Sequence, residues 1–185
     1  MDVRPPDPPL SDGIVTLRPW KKEDAPAIAA ACDDGEIARW MPIIPQPYTE
    51  RDAVEYVEAS TAAWREGTGA AFAFLDEGGE PLGSIGMRVL ERDAAVVEVG
   101  YWTAAQARGR GLTTRALKLI SRWLLETVGA QRVQLRADVH NLASRRVAEK
   151  AGFVPEGVLR SSGCNARQSR RVDYAVYSVL PGELE

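Results

Sequence analysis

Two glycines bracketed by arginines carry the clearest chemical signal in the chain, in the run Gln106-Ala107-Arg108-Gly109-Arg110-Gly111-Leu112-Thr113-Thr114. Glycine lets a backbone turn sharply and approach a ligand closely. Where such a turn opens a helix, the first unpaired N–H groups and the macrodipole favour an anion. Arg108 and Arg110 add guanidinium forks that match phosphate oxygens, and Thr113 and Thr114 add hydroxyl donors. No Walker loop is present, because no Gly-Lys-Ser/Thr follows, and Thr114 stands where a dinucleotide fingerprint needs its third glycine. The plain alternative is a loop-to-helix turn with solvated arginines. Arginines beside both glycines tilt the reading toward phosphate.

The strand before this turn, Val96-Val97-Glu98-Val99-Gly100-Tyr101-Trp102, holds one carboxylate among apolar residues. Strand alternation sets Glu98 with Gly100 and Trp102 on one face, and Val97, Val99 and Tyr101 on the other. A carboxylate in such a strand is costly without a partner or a task. Burial is expected to raise its pKa and suit it to take a proton through water. A structural carboxylate bonded to a loop or an arginine is the alternative.

These groups need elements to position them. A first strand is predicted over 14–20 and a short helix over 23–32. The three prolines between Trp40 and Tyr48 force irregular chain. Thr49-Glu50-Arg51-Asp52 resembles a capping box and starts a helix to about Glu66. Strands over 70–75 and 81–89 form a hairpin, followed by a third over 94–102. The period then changes from 2 to 3.6, and Leu112, Ala116, Leu119, Ile120, Trp123 and Thr127 recur at helical spacing. A strand over 132–139, a helix over 141–151 stopped by Gly152, and strands over 153–161 and 172–180 complete a mixed α/β domain with an antiparallel front and a βαβ-like centre. The Pro-rich opening, residues 1–12, reads as a flexible tail, leaving one domain over 13–185.

In these positions the sequence resembles the GNAT acetyltransferase superfamily. Residues 106–111 match that family's Q/R-x-x-G-x-G/A motif for acetyl-CoA. Asn141-Leu142-Ala143-Ser144, followed by Lys150-Ala151-Gly152-Phe153, is similar to the N-x-x-S…K-x-G-F segment of the branch of ribosomal-protein alanine/serine N-acetyltransferases. Leu17-Arg18-Pro19-Trp20 and the segment Pro45 to Thr49 are similar to that branch too. The resemblance implies a single GNAT-like domain: a twisted, mostly antiparallel mixed sheet, helices on both faces, and two splayed parallel strands at the cofactor site. It implies a pyrophosphate on Arg108, Gly109, Arg110, Gly111, Leu112, Thr113 and Thr114. It implies a pantetheine arm along Tyr101, Trp102 and Thr103, with Asn141 bonding the arm from the second strand. Asn141 is equally a favoured helix N-cap. Arg146 and Lys150, four apart on one helix face, are candidates for the phosphates or simply solvated charge.

Acetyl transfer to an amine requires a deprotonated nitrogen, a donor for the oxyanion and a proton or hydrogen bond for the departing thiolate. Glu98 is the expected base, a backbone N–H near Trp102 the expected oxyanion donor, and Ser144 the expected group near the thiolate. Ser144 stands where other branches carry a tyrosine, so Tyr48, Tyr174 and Tyr177 stay open as proton donors. Trp40 and Tyr48 are candidates for the acceptor wall. The expected activity is an acetyl-CoA-dependent N-acetyltransferase acting on a primary amine, either a protein N-terminus or a small molecule, by direct attack in a ternary complex. The alternative is an acyl-CoA-binding module of the same fold without turnover.

Composition is close to that of an average globular protein. The chain has 185 residues, 45% hydrophobic and 26% charged, enough to bury a core without staples. Two cysteines without a C-x-x-C and a single histidine argue against a disulfide scaffold or a metal site and fit a reducing cytoplasm. No signal sequence, membrane span or nucleic-acid stripe is readable, and a homodimer is left open. Residues 1–100 hold 9 Lys/Arg and 19 Asp/Glu, whereas residues 101–185 hold 14 and 7. Charge alone reads as an uneven surface; with the resemblance, the acidic half suits a cationic amine and the basic half an anionic donor.

Overall fold

In the computed structural model, which describes Met1 and residues 3–184, eight strands form one sheet. The elements in chain order are β1 (Leu10–Ser11), β2 (Thr16–Pro19), α1 (Ala25–Cys32), α2 (Gly35–Trp40), α3 (Glu50–Glu66), β3 (Gly69–Leu75), β4 (Pro81–Glu91), β5 (Val96–Thr103), α4 (Leu112–Trp123), β6 (Arg132–Asp138), α5 (Leu142–Lys150), β7 (Val154–Asn165) and β8 (Arg170–Val179). The spatial order is β1-β2-β3-β4-β5-β6-β8-β7. Each pairing is antiparallel except β5 with β6.

Strand alternation sorts the two sheet faces. Phe72, Phe74, Ile85, Met87, Val97, Val99, Val133 and Leu135 pack with Leu112, Ala116, Leu117 and Ile120 of α4 and with Ala148 of α5. Ala71, Ala73 and Trp102 pack on the other face with Ile28 of α1 and with Ala53 and Val57 of α3. Helix α4 forms because its apolar residues recur at helical spacing; a π turn over Leu124–Val128 extends it until Gly129 ends it in the left-handed region. Helix α3 starts on the expected capping box: Thr49 Oγ1 accepts from Asp52 N at 3.3 Å, and Asp52 Oδ2 accepts from Thr49 N at 2.8 Å.

Two elements differ from expectation. The opening of the chain is not a loose tail, since Val3 is buried in the core and Leu10–Ser11 pairs with β2. Asp2 and Glu185, which belong to the expected tail and domain, lie outside the described residues. Helix α2 has no counterpart in the sequence reading. It is six residues long, too short for periodicity to reveal, and Asp34 caps it by accepting from Glu36 N at 2.8 Å.

Candidate active site

The parallel pair β5–β6 holds for only three residues, Val96↔Arg132, Val97↔Val133 and Glu98↔Gln134. Beyond Glu98 the strands part. β5 stays paired with β4 as far as Thr103, and β6 stays paired with β8 as far as Asp138. A slot therefore opens between two strand ends, with free backbone groups along one side.

Pairing fixes which groups those are. Ala104 N–H donates to the Leu82 carbonyl of β4 at 2.9 Å, so by alternation the Trp102 and Gly100 N–H groups also face β4. Those of Val99, Tyr101 and Thr103 face β6; the Glu98↔Gln134 pairing commits the Val99 N–H to the Gln134 carbonyl and leaves those of Tyr101 and Thr103 to the slot. The Thr103 carbonyl, on that side, accepts from Arg108 Nε at 3.2 Å. The expected oxyanion donor near Trp102 is narrowed accordingly: the Trp102 N–H faces β4, and the neighbouring Tyr101 N–H faces the slot, a distinction of strand phase that needs the register to read.

The glycine turn lies at the mouth of this slot. Gly109 and Gly111 have φ of +75° and +76°, and a Cβ on either would meet no atom within 4 Å. The turn thus combines a backbone that side chains resist with open space above it, which is what an approaching phosphate needs. Thr103 Oγ1 and Thr113 Oγ1, 2.7 Å apart, lash the end of β5 to the first turn of α4. Thr114, Arg115, Lys118, Arg122 and Lys150 line an adjoining basic cleft together with Gly111. Lys150 is therefore gathered beside the turn; Arg146 is exposed but does not line that cleft. Arg115, Lys118 and Arg122 of α4 are not among the site residues expected from the sequence.

The turn's arginines are not free. Arg108 pairs with Asp34, Arg110 with Asp76 at 3.2 Å, and Arg115 with Asp12 at 2.8 Å. The acidic and basic halves of the chain meet here, so part of the charge asymmetry serves internal pairing rather than two separate ligands.

On the slot's helical side, Tyr101 reaches α5. Its hydroxyl lies 3.0 Å from Ser144 Oγ and donates to the Ser144 carbonyl at 3.1 Å. Burial raises the Tyr101 pKa. Asn141 caps α5, its Oδ1 accepting from Ser144 N at 3.1 Å. Tyr177, one of the open candidates, is buried between Arg145 Nε at 3.0 Å and Glu149 Oε1 at 3.1 Å.

On the opposite face lies a cleft of about 620 Å³, walled by Met41, Ile44 and Tyr48 from the loop after α2 and by Tyr56 of α3, and floored by β4 and β5. Asp52 and Glu55 are at its edge. Trp102 lines this cleft, stacked on Trp20 at 6.0 Å, rather than the cofactor side. Tyr48 lines it too, and burial, with Cys32 and Tyr56 nearby, raises its pKa. Trp40 does not line it: the indole N–H donates to Glu36 Oε1 at 2.7 Å and Arg39 covers the ring.

Glu98 sits at the point where the strands part. Oε1 accepts from Arg88 Nη2 at 2.7 Å and from Arg136 Nη2 at 3.1 Å; Oε2 accepts from Arg136 Nε at 2.6 Å and from Gln134 Nε2 at 3.0 Å. Burial pushes its pKa up, but the hydrogen bonds from Arg136, Arg88 and Gln134 outweigh burial and hold it below the usual value. The expected upward shift is therefore corrected, because β4 and β6 bring two guanidinium groups that the β5 sequence cannot show. Such a carboxylate is a weak proton acceptor.

A turn suited to an anion, a slot in the sheet and a cleft on the other face thus lie together at the strand ends. The chain belongs to the GNAT acetyltransferase family, whose domain model matches residues 15–154, and it is an N-acetyltransferase. It is similar to the uncharacterized N-acetyltransferase p20 of Bacillus licheniformis, 23% identical over 174 residues that cover 91% of this chain and 94% of that one. It is similar to the ribosomal-protein-serine acetyltransferase of Escherichia coli, 25% identical over 114 residues, 62% of this chain and 63% of that one. Its fold is that of Mycobacterium smegmatis RimJ, solved in complex with a CoA disulfide, with TM-score 0.82 and 23% identity over 96% of this chain and 84% of that chain. Among the described residues, no helix is long and apolar enough to cross a membrane and no group of three or more His, Cys, Asp or Glu is placed to hold a metal.

Proposed function

We propose that the protein transfers an acetyl group from acetyl-CoA to a primary amine, with a protein or peptide N-terminus as the preferred acceptor class. The observation that carries this reading is the adjacency of the open glycine turn to the slot between β5 and β6, with a separate cleft on the far face. The kinship with ribosomal-protein acetyltransferases supports a peptide amine.

Acetyl-CoA supplies a thioester-activated acyl group. The N–H groups around Gly109 and Gly111, with Arg108, Arg110, Thr113 and Thr114, hold its diphosphate, and the basic cleft with Lys118 and Lys150 takes the remaining phosphate. The slot edge at Thr103, with Asn141 across it, bonds the amide-bearing arm. The slot-facing N–H group of Tyr101 polarises the acyl carbonyl, and such a donor is worth about 3 kcal/mol in the transition state. The Ser144 hydroxyl, held beside the Tyr101 hydroxyl, donates to the departing sulfur. As the nitrogen–carbon bond forms and the carbon–sulfur bond breaks, the amine's surplus proton leaves through cleft water. An α-amine, with a pKa of about 8, is roughly one-tenth neutral at pH 7 and needs no strong base. Glu98 instead fixes the geometry of the parting strands.

The test is thiol release from acetyl-CoA against a panel of peptide and small-molecule amines. Amine-dependent release is expected. Acetyl-CoA binding with no release for any amine would leave the protein as a binding module.

A further inference from the structure

Two glycines face each other in the cleft floor. Gly86 of β4 is the register partner of Gly100 of β5, and both line the cleft. The sheet itself demands the first: a Cβ on Gly86 would lie 2.8 Å from the Ala70 carbonyl oxygen. It makes no such demand on Gly100. A Cβ there would meet no atom within 4 Å, and the backbone is not in the left-handed region. A glycine inside a strand weakens it and often marks a close approach by a ligand. Gly100 thus gives up strand stability without a reason in the fold.

Its location supplies the reason. Gly100 shares a face with Glu98 and Trp102 and lies just past the last parallel pair, where the strands part. The pairs Ser84↔Trp102 and Arg88↔Glu98 close the hollow at either end. Met41, Ile44, Tyr48 and Tyr56 supply a largely apolar wall, with Asp52 and Glu55 also lining the cleft. A cleft of about 620 Å³ far exceeds a two-carbon acyl group.

Resting on the acetyl-transfer reading, we propose that Gly100 is a specificity-determining residue. Its bare backbone makes the hollow that receives the first side chain of the acceptor, so amines bearing a bulky apolar group next to the nitrogen are preferred.

The test compares the wild type with Gly100→Ala and Gly100→Val on glycinamide, leucinamide and phenylalaninamide, with acetyl-CoA as donor. In the wild type, kcat/KM is expected to favour the two bulky amides. Gly100→Val is expected to lose about tenfold or more on these while retaining glycinamide activity, with Gly100→Ala between. The dissociation constant for CoA and the melting temperature should not worsen, which separates a steric effect from misfolding. An unchanged preference, or an equal loss on all three amides, overturns the proposal. Titrating each amide against tryptophan fluorescence, with Trp102 and Trp20 beside the hollow, tests it without turnover. Weaker leucinamide binding by Gly100→Val supports it, and equal or absent binding in both proteins overturns it. Absence of thiol release in the wild type with every amide counts against acetyl transfer alone.

Discussion

The Arg108 guanidinium bridges the Thr103 carbonyl, at 3.2 Å, and the Asp34 carboxylate, so one side chain ties the end of β5 and the glycine turn to the cap of α2. Helix α2 leads into the loop that walls the cleft over β4 and β5. An anion arriving at the turn therefore competes with Asp34 for Arg108. Replacing Asp34 with Asn removes the competing charge and keeps a favoured cap. A partly exposed ion pair is worth about 0–1 kcal/mol, so Asp34→Asn is expected to tighten CoA binding by up to about fivefold. Calorimetric titration at low and high salt measures it. Unchanged affinity would mean that Arg108 does not meet the phosphates.

The turn's backbone gives a second expectation. Both glycines adopt left-handed φ under open space. A valine at either pays the left-handed penalty of about 1–2 kcal/mol and fills the space a phosphate would take. Gly109→Val and Gly111→Val are expected to abolish CoA binding while the far-UV circular dichroism persists. Retained affinity would place the cofactor elsewhere.

Much of this architecture is local and hence readable. The 3.6-residue period of α4, the capping box at Thr49 and the arginine-flanked glycines each lie within a few neighbouring residues. The splay of β5 from β6 is not local; it entered only through the family motifs. The partners of Glu98 come from β4 and β6, so the β5 sequence gave the burial but not the counter-charge, and the pKa direction came out reversed. Strand phase decided which N–H groups face the slot, and phase depends on register. Trp40 is a candidate wall by residue type alone, yet α2 turns its indole toward Glu36.

Glu98 carries the third prediction. Glutamine at this position keeps the shape but leaves the guanidinium groups of Arg88 and Arg136 without their counter-charge. Loss of such bonds costs about 1–3 kcal/mol, a fall of roughly 2–10 °C in melting temperature for a chain of this size. The turnover number of Glu98→Gln is expected to fall by less than about tenfold, because a carboxylate held below its usual pKa is a poor base. A loss of about 10²-fold or more with an unchanged melting temperature would restore Glu98 as the proton acceptor.

Acid stability supplies the fourth. Glu156 accepts from Arg132 Nη1 at 2.6 Å and from Ser178 Oγ at 2.7 Å, and chiefly the Arg132 bond lowers its pKa from 4.5 to about 2. Below pH 4.5 the unfolded carboxyl takes up a proton while the folded one does not, so stability rises with pH in that range. The contribution is complete above about pH 4.5 and is lost as pH falls toward about 2. Glu98, also held below its usual value, adds to the same trend. Melting temperatures across this window should therefore climb less steeply for Glu156→Gln than for the wild type, by up to about one proton of linkage. Parallel curves for the two proteins would mean that the Arg132 pair does not persist in solution.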